Sequence, residues 1–236
     1  MIEDSVKQEL NSISNPLKAK DQMGFFQVFE GGYGAGDRFL GISVPLQRAI
    51  AKKHYGAISL DGIVNLLRSN IHEYRLTALF MLVSKYEHEK NKTEKERFVK
   101  VYLDNLDFVN NWDLVDSSAH LILGRDLFDK DRSILYTLAQ SANLWHQRVA
   151  MISSYYFIKK NDFGDAFRIA DQLIAHKHDL IHKAVGWMLR EIGNRDFDQE
   201  YKFLESRYKI IPRTMLRYAI EKFPEDMRQK FLKGAI

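Results

Sequence analysis

The stretch DLIHKAVGWMLREIG, Asp179 to Gly193, reads as one helix from end to end. Its apolar residues recur at i, i+3, i+4 and i+7, the period of an amphipathic helix, and Gly193 marks its stop. The first turn of this helix has two counterparts upstream. Arg75 in HEYRLTALF, Arg148 in LWHQRVAMI and Lys183 in LIHKAVGWM occupy matching places, each followed by small and apolar residues. Arg148 and Lys183 are 35 residues apart, Arg75 and Arg148 are 73 apart, and Trp112 and Trp145 are 33 apart. A period of this size built from helix pairs predicts an all-α, HEAT-like solenoid. The expected architecture is one domain over residues 1–236, a superhelical stack of antiparallel helix pairs with a concave basic groove.

The rest of the chain fits that class. Strand signals are nearly missing, only 4 prolines occur, and EKERFVKVYLDNL, RSILYTLAQSA, LWHQRVAMISSYYFIKK and DAFRIADQLIAH carry the same helical period. Ser43 before Val44 and Pro45 predicts a helix start, as does Asp131. The one glycine-rich stretch, EGGYGAGD (Glu30 to Asp37), lacks the GK[ST] ending of a phosphate-binding loop and is expected to be a flexible connection.

Composition narrows the function classes. At 236 residues, 45% hydrophobic and 28% charged, the chain can bury a proper core and resembles a soluble globular protein. It has no apolar run long enough to span a bilayer, and MIEDSVKQEL is unlike a signal peptide, so a cytoplasmic location, on the bacterial nucleoid when bound to DNA, is expected. Cysteine is absent, which excludes disulfides, a thiolate nucleophile and a thiolate zinc site. The net charge of +4 is uneven: Lys177 to Ile236 holds 13 basic and 9 acidic residues, leaving 22 of each before it. That bias permits binding to a polyanion.

All three tryptophans lie within one helical turn of a charged residue. Trp112 and Asp116 are spaced i, i+4 in NNWDLVD, Trp145 and Arg148 i, i+3, and Lys183, Trp187 and Arg190 form a stripe. Asp113, beside Trp112 at a helix start, reads as a cap or first-turn acid. Asp116, one turn further in, is either a salt-bridge partner of Arg148 or a functional carboxylate. HExxH and GxSxG are absent, the 8 histidines are scattered or cluster in the connection HKHDLIH, and neither a metal nor any other cofactor is expected.

One carboxylate, aromatic walls and cations suit one reaction in particular. A nucleobase alkylated on a ring nitrogen is already positively charged and leaves without a general acid, through an oxocarbenium-like transition state. A carboxylate about 4 Å away stabilises that charge by about 4 kcal/mol at an effective dielectric of about 20, roughly a thousandfold in rate.

The residues that carry this chemistry resemble the AlkD-type DNA alkylation-repair glycosylases, built of HEAT-like repeats, over nearly the whole chain. The resemblance rests on FLGISVPLQR (Phe39 to Arg48), NNWDLVD (Asn110 to Asp116), LWHQR (Leu144 to Arg148), HKAVGWMLRE (His182 to Glu191) and PRTMLRYAIEKF (Pro212 to Phe223). It implies excision of cationic N3- and N7-alkylpurines from duplex DNA without flipping the base; a monomer is expected for a groove that encloses a duplex. It implies that Asp116 stabilises the sugar cation and positions water, that Trp112 and Trp187 pack on the deoxyribose, and that Arg148 contacts the backbone near the lesion. Arg75, Arg148, Lys183, Arg190, Arg213 and Arg217 are the expected DNA contacts.

The sequence departs from the pattern at Asn111, where some members carry a second aromatic residue, and in the segment through Asp37. The rival functions are a non-catalytic HEAT-like protein binding damaged, bent or branched DNA, and a peptide-binding solenoid scaffold.

Overall fold

The structure, a computed structural model, describes residues 1–236. Fourteen α-helices and no strand account for its regular structure, as the helical periodicity predicts. The residues sort into two compact units, Met1–Ser118 and Ala119–Ile236. The first holds α1 (Ile2–Ser12), α2 (Pro16–Phe25), α3 (Val44–His54), α4 (Leu60–Leu67), α5 (His72–His88), α6 (Lys92–Asp104) and α7 (Trp112–Asp116). The second opens with a π-helical turn at His120–Gly124. It continues through α8 (Ser133–Ala139), α9 (Leu144–Ile158), α10 (Gly164–Leu173), α11 (Asp179–Gly193), α12 (Phe197–Glu205), α13 (Arg213–Ala219) and α14 (Glu225–Lys233).

Local chemistry places most of the helix starts. The side chains of Asn15, Ser59, Asn91, Asn143, His178 and Asp196 each accept from a backbone N–H of the first turn that follows, satisfying donors that a helix N-terminus leaves orphaned. Ser43 stands at the expected N-cap of α3, with Pro45 in the first turn. Asp131 acts one residue early: Arg132 is the N-cap of α8, and Asp131 accepts from the Ser133 N–H.

Each unit is organised around a helix that is buried nearly all round. Helix α5 buries every residue from His72 to Val83, which a one-sided helix cannot do, and it packs against α1, α3, α4, α6 and α7. In the second unit α9 buries almost everything from Arg148 to Ile158 between α8, α10, α11 and the π turn. Helix α11 is one-sided. Ile181, Ala184, Val185, Met188, Leu189 and Ile192 are buried at helical spacing, and it lies against α9, α10, α12 and α13.

The glycine of the KAVGW motif is explained by packing. A methyl on Gly186 would stand 2.5 Å from the Met215 carbonyl oxygen and 2.5 Å from the Tyr218 Cβ, both on α13. We therefore expect Gly186→Ala to destabilise the protein by about 1–3 kcal/mol, the usual cost of overpacking, in urea unfolding followed by circular dichroism. An unchanged midpoint would mean that α11 and α13 separate without cost.

The glycine-rich stretch is a correction to the expected flexible connection. It folds into consecutive turns, with Gly32 N–H donating to Phe29 O, Ala35 N–H to Gly32 O and Asp37 N–H to Gly34 O. Gly31 and Gly36 take the positive φ values of 82° and 89° that these turns require. Arg38 then pairs through its backbone with Asn70 and His72, so the loop delivers Asp37 into the interior, 6% exposed.

Candidate functional site

In the first unit the WDLVD motif forms α7, which at five residues is too short to persist alone. Its neighbours hold it. Asn111 is fully buried and its side chain accepts from the Trp112 N–H at 2.8 Å, so Asn111 is the cap and Asp113 is not. Leu114 and Val115 are fully buried, and the Ser118 hydroxyl bridges the Leu114 carbonyl (2.6 Å) and the Tyr102 hydroxyl (3.0 Å). The result points Trp112 and Asp116, both half-buried, to the same side.

These two residues line one cavity of about 410 Å³. Its aromatic wall comes from segments far apart in sequence. Phe26 stacks on Trp112 at 5.4 Å and 13°, Phe25 meets Trp112 edge-on at 6.0 Å, Phe26 stacks on Phe39 at 5.0 Å, and Phe39 stacks on the His72 ring at 4.5 Å. Asp113, Asp116 and Ser117 complete the α7 side. A carboxylate beside stacked rings can hold a planar cation and stabilise positive charge developing next to it.

Behind that wall runs a chain of alternating charges. Arg75 Nη2 donates to Asp37 Oδ2 at 2.6 Å, His72 Nδ1 stands 3.2 Å from the same oxygen, and His72 Nε2 stands 2.8 Å from Asp113 Oδ2. With both ring nitrogens facing carboxylates, the doubly protonated imidazolium satisfies the geometry best. Burial by itself pulls the His72 pKa down, but the charge of Asp113 and the hydrogen bonds to Asp113 and Asp37 outweigh it and leave it raised. For Asp37 burial pulls upward, and the hydrogen bonds from His72 and Arg75 reverse it, leaving its pKa lowered. Arg75, one of the expected DNA contacts, is 3% exposed and bonded to Asp37 and the Ser69 carbonyl, an interior ion-pair partner. Asp113 is a first-turn acid of α7, one of the two roles expected of it: its Oδ1 accepts from the Leu114 N–H, and its Oδ2 holds His72.

In the second unit the other expected residues fall on α9, α11 and α13. Arg148 is 5% exposed and donates to the Leu180 carbonyl at 2.5 Å, tying α9 to the first turn of α11. Lys183 is half-exposed and pairs with Asp179 one turn earlier at 2.7 Å. Trp187 is half-buried, donates to Glu191 at 3.3 Å and lies 5.6 Å from the Tyr155 ring. Arg190 pairs with Glu221. Arg213 and Arg217 are exposed on α13, Arg213 donating to the Leu232 carbonyl. His120, in the π turn, lies tilted at 40° against the Tyr155 ring, 5.2 Å between centroids, and burial pushes its pKa down to about 3, so it is neutral.

Phe25, Phe26, Phe39 and His72 line the cavity of the first unit as well, and nothing in the helical period of the sequence singles them out. Phe25 is 67% exposed. No group of three or more His, Asp or Glu is placed to hold a metal ion, and no helix is long and apolar enough to cross a membrane.

A solved structure described as a predicted DNA alkylation repair enzyme from Enterococcus faecalis superposes with a TM-score of 0.68, covering 90% of this chain and 97% of that one. At 16% identity this likeness speaks for the shared fold. No curated protein sequence matches the chain. The family model for DNA alkylation repair enzymes, in contrast, matches residues 6–223, and the chain belongs to that family.

Proposed function

We propose that the protein is a DNA glycosylase resembling the AlkD type, which removes cationic N3- and N7-alkylpurines from duplex DNA. The observation that carries this reading is the placement of Asp116 and Trp112 on one aromatic cavity while the neighbouring carboxylate, Asp113, is committed to His72. The C1′–N bond breaks with its electron pair leaving on the purine, which cancels the purine's positive charge. Positive charge then gathers on the sugar, where the Asp116 carboxylate stabilises it and orients a water. Water adds to C1′ and loses its proton, giving a free base and an abasic site. Trp112 packs against the sugar. In the second unit Arg213 and Arg217 are exposed for phosphate contacts, Lys183 and Arg190 join them as their ion pairs with Asp179 and Glu221 open, and Trp187 and Arg148 are the further residues proposed to contact DNA. No cofactor takes part, and the working species is a monomer.

The test is single-turnover release of free base from a duplex carrying one 7-methylguanine. Release supports the glycosylase. Binding without release moves the protein to a non-catalytic reader of damaged, bent or branched DNA.

A separate expectation concerns affinity. If four or five phosphates are neutralised, log K for duplex DNA falls with log salt at a slope of about −4. Fluorescence anisotropy across a salt series measures it, and a flat response rejects the DNA contacts and favours a peptide-binding scaffold.

A further inference from the structure

The positive charge of the chain gathers in its last helices. From Lys202 to Ile236 there are 9 basic and 4 acidic residues, more than the whole excess of +4 that the full chain carries. Elsewhere in the second unit cations are neutralised where they stand, Arg132 by Asp162 and Asp165, Lys183 by Asp179, Arg190 by Glu221 and Arg207 by Asp171. Lys209 and Lys233 are different: both are exposed and neither joins an ion pair.

Both lysines line one cavity of about 400 Å³, between the turn that follows α12 and the end of α14. Arg213 is the third cation on its wall. It donates to the Leu232 carbonyl, one of the oxygens that the end of α14 leaves orphaned, and a guanidinium has N–H groups to spare after one such bond. No Asp or Glu lines the space. A concave wall of one sign backed by apolar side chains focuses its potential on whatever enters, so the fitting occupant is an anion.

The remaining wall says which kind. Phe231 and Leu216, 1% and 2% exposed, form an apolar floor, and the half-buried Tyr208 and Leu232 form apolar sides. Beside Lys209, on the same turn, Ile210 is 66% exposed. The wall is fixed in place: the Tyr208 ring meets Phe231 edge-on at 6.5 Å, and its hydroxyl donates to the Ile236 backbone oxygen at 3.3 Å, beyond the left-handed turn at Gly234. A bare phosphate ion would leave the apolar part of this wall wet. A duplex is a stiff cylinder that presents phosphates and sugar edges, and it has no side group to lower into a concavity of this size. A flexible acidic segment does both: its carboxylates reach Lys209, Arg213 and Lys233 while an apolar side chain within it covers the floor.

We propose that this cavity docks an acidic segment of another protein, one that carries a large apolar side chain among its carboxylates. The site lies wholly within the second unit and stands whether or not the protein is a glycosylase. Arg213 also serves the DNA reading, so the test leaves it native.

The experiment titrates the full chain into a fluorescein-labelled synthetic peptide, a run of aspartates followed by leucine and phenylalanine, and reads fluorescence anisotropy. A second peptide has serine in place of the leucine and phenylalanine. The first should bind about tenfold more tightly, the difference that burying one large apolar side chain supplies. Lys209→Ser combined with Lys233→Ser, at exposed positions where folding is not at risk, should weaken it by about fivefold or more and leave affinity for duplex DNA within about twofold. Equal affinities for the two peptides, or no loss in the double variant, overturns the proposal. So does a loss of duplex affinity as large as the loss of peptide affinity, because the lysines then serve the DNA backbone.

Discussion

If the protein is the glycosylase proposed above, Asp116→Asn is expected to lower single-turnover release of 7-methylguanine by about a thousandfold, and Asp113→Asn to leave it within about tenfold of the native rate. The asparagine keeps the size of the side chain and its place on α7, so the change isolates the charge. A carboxylate about 4 Å from the developing sugar cation is worth about 4 kcal/mol at an effective dielectric of about 20, and its loss raises the barrier by that amount. Asp113 differs because its Oδ2 is held by His72 at 2.8 Å and its Oδ1 by the Leu114 N–H at 2.9 Å. Removing its charge loosens α7 without removing the group that faces the substrate. Release that survives in Asp116→Asn, or collapses equally in both variants, defeats the assignment.

Arg75→Ala destabilises the first unit by about 3–5 kcal/mol, the cost of stranding one partner of a buried ion pair, and leaves the salt dependence of DNA binding as it was. For a chain of this size that is a fall in Tm on the order of 10 °C. The partner left behind is Asp37, 6% exposed, whose remaining contacts are His72 at 3.2 Å and Asn111 at 3.4 Å. Lys183→Ala is the contrast: half-exposed and paired only at the surface, it costs little stability and reduces the salt slope by about 1. A reduced slope in Arg75→Ala with unchanged Tm reinstates Arg75 as a DNA contact.

The same network sets a pH window. The folded-state pKa of His72 is raised above 6.5, so its contribution is complete below pH 6.5 and is lost as pH rises through the raised value. The Asp37 pKa is lowered below 3.8, so its contribution is complete above pH 3.8 and is lost as pH falls through the lowered value. Urea midpoints of the native chain should therefore be highest between these limits, and His72→Gln should flatten the alkaline side of the profile. An alkaline side that keeps its slope in His72→Gln assigns that loss to another group.

Regular structure was legible because a helix writes its own period. The helix Asp179 to Gly193 has the bounds its sequence predicts, α8 and α9 fall within the stretches whose period predicts helix, and α5, α6 and α10 overlap such stretches. The periodicity does not mark out α1, α2, α4 or α12 to α14, since a stretch of about ten residues gives only two or three turns of pattern. The matching of Arg75, Arg148 and Lys183 was also visible in the sequence, but their fates were not. Arg75 meets a carboxylate carried in by a glycine-rich loop 38 residues away, Arg148 meets a carbonyl in the first turn of α11, and Lys183 meets an acid on its own helix. A register says which residues are equivalent along a helix, and only the neighbours packed against each one decide whether it is buried.

By itself, then, the sequence determined an all-α chain, the helices whose period runs for three or more turns, and the WDLVD, LWHQR and KAVGW motifs that mark the family. The tertiary structure alone decided that Asp113 is tied to His72, that Arg75 is an interior residue, and that Phe25, Phe26 and Phe39 wall the cavity beside Asp116. Helical periodicity is a property of neighbours three and four residues apart, whereas His72 and Asp113 are 41 positions apart, Asp37 and Arg75 are 38 apart, and Phe26 meets the Trp112 ring only in the folded unit.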